Sequence, residues 1–178
     1  MGRLCNQNIP YFNPVNPECP YFNPLQGKES EVIETLTTVF VMLSPDSSTY
    51  FQNLADTLIR RAVGILKRIE EAYRDPDTGI SQKPATLLGL SDILNNPENR
   101  GRKIMTILNA IPTINDEEKK QNKDNIDWCL NEYYADRSKV YENADGIRTQ
   151  VSKLILNKYL RKVLNPPNGL SDISFDKI

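Results

Sequence analysis

Carboxylates in close pairs are what a metal-dependent hydrolase needs, and this chain holds three such sets: Glu70-Glu71, Asp116-Glu117-Glu118 and Asp124 with Asp127. Two or three acids on one face of a pocket can hold a divalent cation that activates water. Each set here lies beside Lys or Arg in a polar segment, so solvated surface charge accounts for it. The chain has no histidine and no nucleophile–base pair. Gly27-Lys28 comes nearest to a phosphate loop, but Phe22 stands where that loop has its first glycine and Glu29 where it has Ser or Thr. The cysteines, Cys5, Cys19 and Cys129, are odd in number, and without histidine they make a poor zinc site. Reduced thiols of a cytosolic protein are the reading, with a Cys5–Cys19 disulfide as the alternative. These residues predict no enzyme, no metal and no cofactor.

Binding chemistry is better supplied. Cations run along the second helical segment as Arg60-Arg61, Lys67-Arg68 and Arg74, open a fourth as Arg100, Arg102 and Lys103, and line the last as Arg148, Lys153, Lys158, Arg161 and Lys162. Lys158, Arg161 and Lys162 share a helix face at i, i+3 and i+4, as do Arg60, Lys67 and Arg74 at successive sevens. Such faces can neutralise phosphates, each contact adding salt dependence; ordinary solubilising charge explains them too. Tyr133, Tyr134, Tyr141, Tyr159 and Trp128 can stack on unpaired bases or pack in a core or interface. The strongly polar stretch 113–123 reads as an exposed loop grading into helix, with Asp116, Glu117, Glu118, Lys119 and Lys120 as candidate protein-recognition residues.

The elements that must position these residues follow from the prolines and the apolar spacing. With 178 residues, 39% hydrophobic and 25% charged, the chain can build one well-packed domain. Its net charge of −1 gives no general pull toward nucleic acid or anionic lipid, and no apolar stretch approaches the about 20 residues that cross a bilayer. Residues 1–29 hold five prolines and a doubled Tyr-Phe-Asn-Pro, at 11–14 and 21–24. Proline fixes φ and disfavours helix before it, so this is an extended arm with aromatic anchors and a strand around 9–12. Two copies are too few for a repeat architecture.

Residues 30–165 form the helical domain, a bundle of six or seven helices. Ser30 caps a first helix over 30–43 that buries Val32, Ile33, Leu36, Val39, Phe40 and Leu43. Ser47 or Ser48 caps the second, whose Phe51, Leu54, Leu58, Ala62, Ile65, Ile69 and Ala72 form a bundle seam ending at Asp75-Pro76-Asp77-Thr78-Gly79. A short helix over 84–96 is capped by Thr86, and Asn96-Pro97-Glu98 opens the next. Ile126, Cys129, Leu130, Tyr133 and Tyr134 stripe another. The last, over 138–164, aligns Val140, Ala144, Ile147, Val151, Leu154 and Ile155; Gly146 within it costs about 1 kcal/mol relative to Ala and marks close helix contact. The segment 166–178 leaves the bundle through Pro166-Pro167-Asn168-Gly169 and alternates like the start of a half-buried strand.

An extended arm, an all-helical middle and a new strand make the pattern of a helical insertion in an α/β protein. Phe22-Asn23-Pro24-Leu25-Gln26-Gly27 leading into a Val-Ile…Leu…Val-Phe helix, then Asp46-Ser47-Ser48-Thr49-Tyr50-Phe51, resemble the all-alpha domain of type IV secretion coupling proteins, the TraG-like conjugative ATPases. Tyr141-Glu142-Asn143-Ala144-Asp145-Gly146-Ile147-Arg148-Thr149-Gln150 resembles the final long helix of that domain, and Ile173-Ser174-Phe175-Asp176-Lys177-Ile178 its return to the nucleotide-binding sheet. The resemblance covers nearly the whole chain. It implies that the parent is a hexameric, membrane-anchored motor, with this module on the cytoplasmic side recognising a relaxase, relaxosome accessory proteins or secreted proteins, and single- or double-stranded DNA, without touching the membrane. The chain departs from the full family in lacking transmembrane helices and both Walker elements, so the module itself is expected to hydrolyse no ATP. A single-stranded-DNA-binding domain and a subunit-packing element of the hexamer are the rival expectations.

Overall fold

Two helices form the first hairpin: α1, Glu29–Met42, and α2, Thr49–Ala72. The structure is a computed structural model in which residues 11–43 and 48–173 are described. Ser48 caps α2 through its side chain, which accepts from Phe51 N at 3.3 Å, as its type and place predict; Ser47 lies outside the described residues. The predicted seam is buried at Leu54, Leu58, Ala62, Ile65 and Ile69, and so are Ala55, Ile59, Val63 and Leu66 beside it. A helix apolar over more than one stripe is packed on several sides, and α2 packs against α1 and against the helical segments over 87–95, 102–110 and 116–128. The first helix starts at Glu29 with Lys28 before it, so Ser30 lies inside the first turn and is no cap.

Helix α3, Leu87–Asn95, is capped by Thr86, which accepts from Gly89 N at 3.2 Å. The chain then makes one wide turn over Pro97–Gly101, closed by Gly101 N to Asn96 O at 2.9 Å, and continues as α4, Arg102–Ala110. Helix α5, Asp116–Trp128, corrects the loop expected over 113–123. Asn115 caps it by accepting from Glu118 N at 2.8 Å, and Asp116, Glu117 and Glu118 sit in the first turn, where acids complement the helix dipole. The polarity that suggested a loop belongs to a helix with no buried residue of its own. A second wide turn, Cys129–Tyr133, follows, with Tyr134 N to Cys129 O at 2.7 Å.

The single helix expected over 138–164 is three: α6, Lys139–Asn143, α7, Asp145–Leu156, and α8, Lys158–Val163. Asn157 makes the second break, because its backbone is extended and its side chain accepts from Tyr159 N and Leu160 N, starting a new helix. Eight helices are thus described where six or seven were expected, and the all-α bundle stands. Gly146 does mark a close approach: a Cβ there would lie 2.8 Å from the Phe51 ring. Among the described residues there is no strand, only one antiparallel bridge between Arg74 and Ser81. Tyr11, Phe12 and residues 170–173 are irregular, so the expected strands are absent where described; residues 9, 10 and 174–178 lie outside the described ones.

Arm and exit segment meet instead through a clasp. Phe22 N donates to Val163 O at 2.9 Å, Tyr21 N to an Asp172 carboxylate oxygen at 2.8 Å, and Asp172 N returns to Tyr21 O at 2.9 Å. Asn23 is the centre: its N–H donates to Ser171 Oγ, and its side-chain amide donates to both Ala85 O and Gly169 O, each at 2.8 Å.

Candidate recognition surfaces

The α2 cations selected by their spacing are all engaged. Arg60 pairs with Asp56 at 2.9 Å, Lys67 with Glu70 at 2.8 Å, and Arg74 with Glu71 at 2.9 Å while also donating to Gly79 O. Lys67 and Glu70 are nearly buried, and the other oxygen of Glu70 accepts from Ala85 N. Arg74 lies past the end of the helix, where it closes the turn around Asp75. The N–H of Thr78, then its hydroxyl and the N–H of Asp77, hold the Asp75 carboxyl below its ordinary range. Arg61 bonds Asn125 and lies over Trp128; Arg68 bonds Glu118 at 2.7 Å and Pro112 O. These cations bind α5 to α2.

The same contacts answer the carboxylate sets. Glu70 and Glu71 serve different cations, and Glu118 joins Arg68 to Ile114 N. Among the described residues no three His, Cys, Asp or Glu side chains converge as a metal site. Asp116, Glu117, Lys119 and Lys120 are exposed on the first turns of α5, on a helix rather than a loop.

Most aromatics pack. Tyr133 stacks on Trp128 at 5.8 Å and tilts against Tyr134 and Tyr141. Tyr133 and Tyr134 are buried and donate to Leu94 O and Ile93 O. Burial raises both phenols above their ordinary range and pushes the Cys129 thiol up to about 12. Arg148 covers Tyr141 and bonds its carbonyl. Cys19 is buried too; Cys5 lies outside the described residues.

The α8 edge is built differently. Lys158, Arg161 and Lys162 are exposed, as is Tyr159, with the Lys158 ammonium 4.8 Å from its ring centre; Lys162 donates to Pro17 O. Spacing brought these three cations together and the structure keeps them so. A feature that sequence reading missed is an open cleft of about 590 Å³ between the two wide turns, lined by Asn95, Asn96, Asn99, Arg102, Asp136 and Arg137. Tyr134 reaches across under it because Gly101 has no Cβ, which would meet the phenol oxygen at 2.5 Å. A wide turn changes neither composition nor apolar spacing appreciably, so the only visible signal was Gly101 ahead of an apolar helix.

The chain matches no protein-family model, no curated protein and no solved structure.

Proposed function

We propose that this chain is the substrate-recognition module of a conjugative coupling ATPase, a non-catalytic helical body that receives a relaxase, its accessory proteins or a secreted protein on the cytoplasmic side and presents it to the motor. The observation that carries the reading is the clasp: residues 21–23 and 163–172 are hydrogen-bonded side by side, the arrangement in which a domain inserts into a host without disturbing its sheet. The test is titration calorimetry of this chain against the purified relaxase and accessory proteins of one conjugative element. Saturable binding of at least one is expected; no heat with any of them at high micromolar concentration overturns the reading.

One observation favours the subunit-packing rival. Val39, Met42 and Leu43 near the end of α1 and Tyr50 at the start of α2 leave apolar surface exposed at the tip of the first hairpin. Sedimentation velocity decides it: concentration-dependent association that Met42→Glu abolishes assigns the tip to packing, and a monomer at every concentration removes that rival.

A further inference from the structure

The seat that holds Asn23 fits a motif that the chain carries twice. Residues 9–15 read Ile-Pro-Tyr-Phe-Asn-Pro-Val and residues 19–25 read Cys-Pro-Tyr-Phe-Asn-Pro-Leu. Only the second stretch is seated. Val163 O accepts from Phe22 N, Asp172 exchanges two bonds with the Tyr21 backbone, Ser171 Oγ accepts from Asn23 N, and Ala85 O and Gly169 O accept from the Asn23 amide. On the arm's side each of these bonds comes from backbone or from the asparagine, which both stretches have. The first stretch already holds the matching turn in solvent, with Val15 N on the Asn13 side chain and Asn16 N on the Asn13 carbonyl. Two differences favour the second copy. Leu25 is fully buried, and Val15 in the same hole would be one methylene short, which weakens seating about five- to ten-fold. Residues 26–28 join Leu25 to α1, whereas residues 16–28 would join Val15 to it; lengthening a closed loop from about three residues to about thirteen costs about nine-fold. Together they leave the first copy seated in about one or two molecules in a hundred.

We propose that the seat is a binding site for the Pro-Tyr-Phe-Asn-Pro turn with two ligands in the same chain, so that the arm has two registers. In the second register Asn13 takes the place of Asn23, Val15 takes that of Leu25, and residues 16–28 loop out ahead of α1. The acceptors Ala85, Val163, Gly169 and Ser171 belong to the helical body and the exit segment, so the helices keep their packing. The reach of the arm from the seat shortens by ten residues, about 30 Å of extended chain. Tether is taken in or let out while the body stays attached. A separate docking use for the first copy calls for its exposed aromatics, but not for five consecutive identities with the seated copy. The inference goes beyond the module reading and does not depend on it: cargo binding leaves it untouched either way.

The test is disulfide trapping at equilibrium in glutathione buffer, with dilute protein and a Cys5→Ser, Cys19→Ala background; Cys129 is buried, with its thiol pushed up to about 12. Tyr21→Cys with Asp172→Cys reports the observed register, and Tyr11→Cys with Asp172→Cys reports the other. The second pair is expected to close about fifty- to a hundred-fold less favourably than the first. Val15→Leu raises its closure about five- to ten-fold, although Val15 is 62% exposed, where a larger side chain does not disturb the fold. Asn13→Ala lowers closure of the Tyr11→Cys pair about ten-fold or more, and Asn23→Ala raises it by a similar factor while lowering that of the Tyr21→Cys pair. Closure of the Tyr11→Cys pair that is indifferent to Val15→Leu and Asn13→Ala overturns the inference. So does a rise in Asn23→Ala that survives the addition of Asn13→Ala, which reports a loosened arm, or a bridge formed only between chains.

Discussion

The doubled Tyr-Phe-Asn-Pro is one motif in two surroundings. In both copies the asparagine side chain accepts from the amide two residues on, Val15 N to Asn13 at 3.2 Å and Leu25 N to Asn23 at 3.0 Å. In both the backbone closes the same turn, Asn16 N to Asn13 O and Gln26 N to Asn23 O. There the likeness stops. The first copy stands in solvent, with Tyr11 75% and Val15 62% exposed, whereas Leu25 is fully buried and Asn23 nearly so. Four residues suffice to write a turn, because an Asn–Pro step satisfies its own backbone. Burial is decided by Ala85 and Gly169, which lie 62 and 146 residues along the chain from Asn23.

That contrast can be broken by substituting equivalent positions and measuring urea unfolding. Leu25→Ala removes a fully buried side chain and is expected to cost about 3 kcal/mol, against less than about 0.5 kcal/mol for Val15→Ala; equal losses would show that the second copy is no more seated than the first. Asn23→Ala leaves two carbonyls without their donor, for about 2–3 kcal/mol, whereas Asn13→Ala loses one exposed turn bond and about 0.5 kcal/mol. Gly169, whose carbonyl accepts from Asn23, has φ +75° and would set a Cβ 2.2 Å from Pro84 Cβ; Gly79 has φ +69° and open space. Gly169→Ala is therefore expected to cost about 2 kcal/mol and Gly79→Ala about 1 kcal/mol. The smallest effect is kinetic. Burial holds the Cys129 thiol near 12 and so protonated at pH 8, and in a Cys5→Ser chain native-state alkylation then reports Cys19, which is buried just ahead of the second copy. Asn23→Ala should quicken that labelling several-fold and Asn13→Ala should leave it alone; the same rate in both would place the protection elsewhere.

What the sequence made legible was what neighbours in sequence decide. Ser48 and Thr86 cap the helices they were expected to cap, because capping is a contact over three residues. The seam of α2 was readable, and so was the α8 trio, since a helix repeats its faces whatever packs on them. The start of α5 was also written in Asn115 and Glu118, the spacing of a capping pair, but the charge density hid it. The break at Asn157 escaped because Ile147 and Val151 keep the expected spacing before it and Val163 remains buried after it. The fate of the α2 cations could not be read at all: whether Arg68 faces water or Glu118 depends on a residue 50 positions away.

Between the arm and the exit segment, a tension applied to the backbone on the two sides of the clasp would reach Tyr21 and Asp172 first, since they exchange the outermost pair of bonds joining those two segments. Bonds pulled from one end of a row open one after another rather than together, so this joint yields as a zip at low force. The bonds from Asn23 to Ala85 and Gly169 are loaded last. The clasp is in that sense a mechanical fuse: its few bonds are expected to part before the buried core of the helical body is exposed.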